Sequence, residues 1–139
     1  MKRAERRSPS QAAQVLVVDD EPDIRESLAE ILSAASHRVV TAGSGREALE
    51  RLTIERYDVI LTDIRMPDMD GRALYEHIEA KWPSELVRVV FVTGDTLASE
   101  LREFVCRSGR LVIEKPFLPS EVRRVVEEVA ASGEASRLH

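Results

Sequence analysis

The sequence predicts one α/β domain built on a doubly wound, five-stranded parallel sheet. Short runs rich in Val, Ile and Leu recur along the 139 residues, and the segments between them carry apolar residues at helical spacing. Continuous apolar runs are typical of strands buried on both faces, as in a parallel sheet covered by helices. Because five such runs alternate with five helical patterns without a long structureless gap, the doubly wound arrangement is favoured.

Five strands are predicted from the apolar runs. They are Val15 to Val18, Arg38 to Thr41, Val59 to Thr62, Val87 to Val92 and Leu111 to Ile113. We expect the flavodoxin-like strand order 2-1-3-4-5, which is one of the common doubly wound orders.

Five helices are predicted between and after these strands. Apolar stripes at helical spacing indicate the first, fourth and fifth helices: Ile24, Leu28, Ile31 and Leu32; Leu101, Phe104 and Val105; Val122, Val125, Val126 and Val129. Ser44 to Glu47 fits a capping box at the start of the second helix. Leu74 and Ile78, behind Gly71, give a weaker signal for the third, and Pro119 fits the first position of the last.

The distribution of charge predicts three parts of the chain. Of the net charge of −5, residues 1–13 contribute +3 and the rest −8, so we expect a flexible basic leader at 1–13, an ordered domain at 14–131 and a flexible tail at 132–139. The acidic domain argues against direct nucleic-acid binding. Because no apolar run is long enough to span a bilayer or to form a signal-peptide core, we expect no membrane insertion and a cytoplasmic location.

The single cysteine and the three histidines suggest no site. Cys106 lies in an apolar helical pattern and is predicted to be buried. His37, His77 and His139 lack metal-ligand spacing and are interpreted as structural or surface residues.

Polar side chains follow four of the five predicted strands. Asp19 and Asp20 follow the first strand, Asp63 the third, Thr93 the fourth and Lys115 the fifth. In open α/β sheets, ligands bind beyond the carboxyl ends of the strands. Each residue alone has an ordinary explanation, such as an acidic pair near a helix N-terminus. Taken together, they predict a site where three carboxylates, a hydroxyl and an ammonium converge.

The predicted cluster needs positive charge. Two carboxylates 4 Å apart repel by about 4 kcal/mol at an effective dielectric constant near 20. A divalent cation together with Lys115 would balance three carboxylates, and ligation by oxygen alone favours Mg²⁺. Mg²⁺ bound in this way commonly contacts phosphate oxygens, so we interpret Asp63 as a nucleophile that forms an aspartyl phosphate. Lys115 and Thr93 would hold the phosphoryl oxygens.

Four stretches carry a family resemblance. VLVVDDEPDIRESLAEIL, VILTDIRMPDMDG, VVFVTGD and VIEKPF, in this order and spacing, resemble the receiver domains of two-component response regulators. The resemblance covers residues 14–131. It implies a phosphorylation switch or phosphorelay intermediate that takes a phosphoryl group onto Asp63 from a phosphohistidine of a sensor histidine kinase or a histidine phosphotransfer protein. The resemblance also implies that the protein is not a turnover enzyme. It would catalyse only its own phosphorylation and its own slow dephosphorylation.

The resemblance implies a ligand set for Mg²⁺. Asp20 would bind the ion directly and Asp19 mainly through water, with Asp63 and the backbone carbonyl of Arg65 completing the protein ligands. Arg65 and Asp95 would tune dephosphorylation.

The resemblance also implies a switch, with one departure from the family pattern. Thr93 would move towards the phosphoryl group, Lys115 would pair with it, and the Lys115-Pro116 peptide would be cis. Many receivers have an aromatic residue three positions before the lysine, where this sequence has Val112. A switch through an aromatic rotamer is therefore in doubt.

Two assignments stay open within the family. The chain resembles receivers attached to the C-terminus of hybrid sensor histidine kinases, and the rival assignment is a free-standing regulator. A weak homodimer is compatible with either, because the sequence does not decide the oligomeric state.

Three alternatives compete with the receiver interpretation. Gly43 to Ala48 fits G-x-G-x-x-A before a helix, with Asp63 about 20 residues on, which suggests a small nucleotide-binding domain. A phosphatase with an Asp nucleophile is another, but it needs a second Asp where Arg65 stands. A receiver that only docks partners would have lost Asp63, Lys115 or one of the acidic pair, and all are present.

Overall fold

Five parallel strands form one sheet in the order β2-β1-β3-β4-β5. The strands are β1 Gln14–Val18, β2 Arg38–Ala42, β3 Val59–Asp63, β4 Val89–Thr93 and β5 Val112–Glu114. The computed structural model describes residues 12–94 and 97–137. The predicted fold class and strand order are confirmed.

Helices cover both faces of the sheet. They are α1 Pro22–Ala34, α2 Gly45–Ile54, α3 Gly71–Lys81, α4 Ser99–Ser108 and α5 Pro119–Arg137, together with a short 3₁₀ helix, Pro83–Arg88. The five predicted helices are present, and the 3₁₀ helix is an addition. None of the helices in the described ranges is long and apolar enough to cross a membrane.

The core consists of two layers, one on each face of the sheet. Alternate strand residues point to opposite faces. One set packs against α1 and α5, and its strand members are Val15, Val17, Val59, Leu61, Val90, Val92 and Ile113. The other packs against α2, α3 and α4, with strand members Leu16, Val18, Ile60, Val89 and Phe91. Burial on both faces explains why the strands have continuous apolar sequences.

The start of β4 differs from the prediction. We predicted a strand from Val87, but Val87 and Arg88 end the 3₁₀ helix and the strand begins at Val89. Arg88 is fully buried, and its Nε donates to Glu85 Oε1 at 3.0 Å. Residues three apart face the same side of a 3₁₀ helix, so this conformation is compatible with the pairing of the buried guanidinium.

The boundaries of the predicted domain fall partly outside the described residues. Residues 1–11 of the predicted leader and 138–139 of the predicted tail are not described. Helix α5 passes the expected boundary at Ala131 and ends at Arg137. The division into leader, domain and tail stays a prediction.

The buried position predicted for Cys106 is wrong, because the thiol is exposed. Phe104 is the buried residue of α4. A residue two positions further along a helix points about 200° away, so Cys106 faces solvent. His37 is buried, and its Nδ1 accepts a hydrogen bond from the backbone N–H of Ala13 at 2.9 Å, as a structural histidine would.

The N-terminus of α2 is capped by Ser44 as the sequence predicts, but the return bond to Glu47 comes from Gly43 rather than from Ser44 as in a regular capping box. Ser44 Oγ accepts from the Glu47 backbone N–H at 3.1 Å, and Glu47 Oε1 accepts from the Gly43 N–H at 2.9 Å. Two donors at the helix start are therefore satisfied by side chains.

We expect Ser44→Ala to lower the free energy of unfolding by about 1 kcal/mol, because the Glu47 N–H loses its acceptor. Urea unfolding measures the change. Ser33→Ala is the matched control, since Ser33 is exposed within α1. Equal stability of the two variants would contradict the capping role of Ser44.

Candidate functional site

The candidate site lies at the carboxyl edge of the sheet. Asp19 directly follows β1, Asp63 ends β3, Thr93 ends β4 and Lys115 directly follows β5. The strands are parallel, and the register pairs Asp63 with Val92 and Thr93 with Glu114, so their carboxyl ends meet at one edge. An open cavity of about 550 Å³ lies there, lined by Asp20, Glu21, Ile24, Asp63, Arg65, Gly94, Lys115 and Pro116.

Three carboxylates converge at this cavity. One oxygen from each of Asp19, Asp20 and Asp63 lies within 4.8 Å of the others. Asp19 is fully buried, Asp63 is 5% exposed, and Asp20 is half-buried. The structure thus brings together the acidic residues that sequence analysis selected.

The Lys115 ammonium lies between the carboxylates. Its Nζ is 3.5 Å from Asp19 Oδ2, 3.6 Å from Asp63 Oδ2 and 3.6 Å from Glu21 Oε1. The partnership with Glu21 was not predicted. Glu21 is largely exposed, at 63% of its side chain, so its screened charge contributes less than those of the two buried aspartates.

Burial and mutual repulsion change the acidity of the cluster. The pKa of Asp63 is raised to about 6, first by burial and then by the neighbouring Asp19 charge, while Lys115 lowers it in part. Burial also raises the pKa of Asp19. Burial alone would lower the pKa of Lys115, but the charges of Asp63 and Asp19 outweigh it and the pKa is raised. The site therefore holds more negative charge than one lysine neutralises.

These groups fit a small divalent cation. All the donors are oxygens, which Mg²⁺ prefers. Asp19 Oδ2 is buried and has no hydrogen-bond partner in the described part of the chain, and its charged neighbour is the Lys115 ammonium at 3.5 Å. A buried carboxylate oxygen with unused lone pairs is a natural cation ligand. Arg65 is exposed and lines the cavity through the loop after Asp63.

Backbone contacts hold the first acidic loop. The Asp19 N–H donates to the Ala42 carbonyl at 3.1 Å, and the Glu21 N–H donates to Asp19 Oδ1 at 2.9 Å. Arg25 Nη1 donates to the Asp19 carbonyl oxygen at 2.7 Å. Sequence analysis missed Arg25, because its helical position one turn after the acidic pair gives no signal of a contact back to the strand end.

Gly71 packs closely against the backbone of Asp63. A Cβ on Gly71 would lie 2.7 Å from the Asp63 carbonyl oxygen and 2.9 Å from Ile64 Cα. The Gly71 N–H donates to the Ile64 carbonyl at 2.8 Å. Helix α3 therefore begins against the backbone that carries Asp63, and no side chain fits between them.

Thr93 and Lys115 are tied together at the backbone. The Lys115 N–H donates to the Thr93 carbonyl at 2.8 Å, and the Lys115-Pro116 peptide is cis, as the family resemblance implied. Thr93 Oγ1 is buried and has no hydrogen-bond partner among residues 12–94 and 97–137. Asp95 lies outside the described residues. Val112 is half-buried on β5, where many receivers have an aromatic ring.

The glycine-rich stretch Gly43 to Ala48 does not form a dinucleotide site. A Cβ on Gly45 would lie 2.8 Å from Met69 Sδ, so the Met69 side chain fills the place next to this turn. Asp63 lies on β3, and β1 separates β3 from β2, which precedes the turn. The fingerprint instead needs its acid on the neighbouring strand.

Comparison with known proteins places the chain in one family. The family model for the response regulator receiver domain matches residues 15–127. Two-component response regulator ARR11 of Arabidopsis thaliana is 48% identical over 118 residues, which are 83% of this chain and 22% of that protein. Two-component response regulator ORR3 of Oryza sativa subsp. japonica is 30% identical over 122 residues, which are 87% of this chain and 93% of that protein.

Solved structures agree with these relatives. The crystal structure of NtrX from Brucella abortus has a TM-score of 0.80 at 32% identity and covers 91% of this chain and 28% of the NtrX chain. The structure of chemotaxis protein CheY4 from Vibrio cholerae has a TM-score of 0.75 at 28% identity and covers 86% of this chain and 99% of that one. The chain thus spans a small part of its longer relatives and nearly all of the shorter ones.

Proposed function

Because the chain belongs to the response regulator receiver family of two-component systems, we propose that it accepts a phosphoryl group on Asp63. The observation that carries this proposal is the convergence of Asp19, Asp20 and Asp63 within 4.8 Å, beside the Lys115 ammonium. The phosphoryl donor is a phosphohistidine on a sensor histidine kinase or a histidine phosphotransfer protein.

Asp63 acts as the nucleophile. One of its carboxylate oxygens attacks phosphorus, the bond from phosphorus to the histidine nitrogen breaks, and the electron pair of that bond returns to the imidazole. The Asp63 pKa of about 6 leaves the carboxylate ionised at neutral pH even without a metal. Below that pH the protonated fraction grows, and the nucleophile is lost.

Positive charge at the site favours the transfer. Asp19, Asp20, Asp63 and the backbone carbonyl of Arg65 would hold Mg²⁺, which when bound offsets the repulsion between Asp63 and a phosphoryl group. Lys115 exchanges part of its contact with Asp63 for a phosphoryl oxygen. Thr93 Oγ1, buried without a partner among the described residues, is available to donate to another phosphoryl oxygen.

The conformational response follows from the groups that move. Thr93 turning towards the phosphoryl group would bias the loop after β4 and the face formed by α4, β5 and α5. Val112 has no ring to reorient, so the signal passes through packing changes around Thr93.

We propose that the chain is a cytoplasmic signalling domain and not a turnover enzyme. It does not bind nucleic acid directly and dimerises weakly if at all. It is either a free-standing regulator or part of a hybrid sensor kinase.

Incubation with acetyl phosphate and Mg²⁺, followed by intact mass measurement, tests the proposal. We expect one phosphoryl adduct on the wild type and none on Asp63→Asn. Asp68→Asn is the matched control, because Asp68 is an exposed residue of the following loop whose positive φ of 68° asparagine also adopts. An adduct on Asp63→Asn, or an adduct on the wild type that EDTA does not reduce, would contradict the proposal. Steady hydrolysis of a small phosphomonoester would favour a phosphatase instead.

A further inference from the structure

The guanidinium of Arg25 connects α1 to the end of β1, where the acidic pair begins. Its Nη1 donates to the Asp19 carbonyl oxygen at 2.7 Å, the shortest bond to this loop. Arg25 is partly buried, and the bond is to backbone rather than to a carboxylate. The contact therefore fixes the direction in which the chain leaves the strand at Asp19.

The guanidinium also lies against a second loop, the one that follows β2. A Cβ on Gly43 would lie 3.2 Å from Arg25 Nη1, so the absence of a side chain at Gly43 leaves the space that the guanidinium uses. The Gly43 N–H donates to Glu47 Oε1 at 2.9 Å, and the Asp19 N–H donates to the Ala42 carbonyl at 3.1 Å. Arg25 thus lies between the loops that follow β1 and β2.

The loop that Arg25 supports carries the proposed metal ligands. One oxygen of Asp19 is fixed by the Glu21 N–H at 2.9 Å. The other is buried 3.5 Å from the Lys115 ammonium and has no hydrogen-bond partner among the described residues, and Asp20 is the next residue. With both the N–H and the carbonyl of Asp19 hydrogen-bonded, the peptide to Asp20 has little freedom to rotate. Preorganised ligands bind a cation more tightly because less conformational freedom is lost on binding.

We propose that Arg25 is a positioning residue for the acidic pair and sets the affinity of the site for Mg²⁺. This inference depends on the proposed function for the identity of the cation. Arg25 touches neither the ion nor the phosphoryl group in this role. It acts through the Asp19 carbonyl, so its loss would raise the Mg²⁺ concentration that the site needs more than it would lower the rate at saturating Mg²⁺.

Calorimetric titration of the full chain with MgCl₂ measures the affinity directly, and thermal unfolding without metal first verifies that each variant folds. We expect Arg25→Met to weaken Mg²⁺ binding about tenfold, the lower end of what outer residues around metal ligands contribute. Arg25→Lys keeps the charge but not the planar, two-nitrogen donor geometry. We expect it to weaken binding nearly as much. It carries the test alone if Arg25→Met does not fold.

Arg46→Met is the matched control for charge, because Arg46 is an exposed arginine in the first turn of α2 at the same end of the sheet. We expect it to bind Mg²⁺ as the wild type does. Initial phosphorylation rates with acetyl phosphate at rising Mg²⁺ give a second measurement. In this measurement, we expect the Mg²⁺ concentration that gives half the maximal rate to rise about tenfold in Arg25→Met. The maximal rate at saturating Mg²⁺ should change less than twofold.

Three results would overturn the inference. They are wild-type Mg²⁺ affinity in Arg25→Met, wild-type affinity in Arg25→Lys, and equal weakening in Arg25→Met and Arg46→Met. The last two would mean that the guanidinium contact with the Asp19 carbonyl does not set the Mg²⁺ affinity, because loss of a positive charge by itself would strengthen cation binding. A wild type that neither binds Mg²⁺ nor becomes phosphorylated would contradict the proposed function itself, and is thereby distinguished from a failure of Arg25 alone.

Discussion

Asp63→Asn is expected to stabilise the metal-free protein at pH 7.5 by about 2 to 3 kcal/mol. Burial holds the pKa of Asp63 at about 6 against an ordinary value of 3.8, so ionising the buried carboxyl costs the folded state free energy. That pKa difference, which already includes the attraction to Lys115, corresponds to about 3 kcal/mol. An amide of the same shape is neutral and avoids this cost.

The pH dependence gives the sign of the effect. Because the folded pKa of Asp63 lies above the unfolded value, the folded protein binds more protons between about pH 4 and pH 6, and this group lowers stability as pH rises through that range. The advantage of Asp63→Asn should therefore be full above pH 7 and disappear near pH 4. Added Mg²⁺ should reduce the difference in stability between Asp63→Asn and the wild type at pH 7.5, since the cation stabilises the wild-type carboxylate.

Urea unfolding in EDTA, followed by the fluorescence of half-buried Trp82, measures this difference at several pH values. Asp68→Asn removes an exposed carboxylate of the neighbouring loop and should show no comparable change. A wild type as stable as Asp63→Asn at pH 7.5, or a difference that grows towards acid pH, would show that burial of Asp63 carries no such cost.

Gly71→Ala should destabilise the fold by about 2 to 3 kcal/mol and slow phosphorylation of Asp63. The new methyl group would lie 2.7 Å from the Asp63 carbonyl oxygen and 2.9 Å from Ile64 Cα. Both atoms belong to backbone, so neither can rotate away and the start of α3 must shift relative to β3. Overpacking of this kind typically costs about 1 to 3 kcal/mol.

Helix propensity predicts the opposite sign for the same substitution. Alanine within a helix is about 1 kcal/mol more favourable than glycine, so a more stable Gly71→Ala would mean that α3 moves freely against β3. Gly94→Ala is the control for stability, because its Cβ would meet Lys115 Cδ at an ordinary 3.5 Å. Urea unfolding of both variants and the acetyl phosphate reaction of Gly71→Ala measure the two expected effects.

The sheet and the polar ends of its strands are predictable from sequence because both follow from local patterns. Val59 to Leu61 is apolar throughout and leads into β-branched Thr62, so a strand buried on both faces follows, and Asp63 comes at its end. A parallel sheet then brings such ends together without further information. The contacts of residues that lie in no such local pattern are visible only in the structure.

The features that sequence analysis missed depend on contacts between distant or oppositely facing groups. Buried Arg88 also donates from Nη1 to the carbonyl of Asp58, 30 residues earlier, at 3.5 Å, and the exposure of Cys106 depends on which side of α4 meets the core. The contact from Arg25 to the Asp19 carbonyl joins a helix to a strand end. No periodicity in sequence encodes these pairings, because each depends on how one element is placed against another.

The Lys115 ammonium stands nearly equidistant from Asp19, Asp63 and Glu21, at 3.5, 3.6 and 3.6 Å. A cation shared in this way has no single partner whose loss would release it, so its ammonium group keeps at least two carboxylate neighbours when the charge of one of them changes. A dianionic group that binds in this cavity would then find a positive charge already in place. Only the Lys115 side chain would have to change its conformation to contact it.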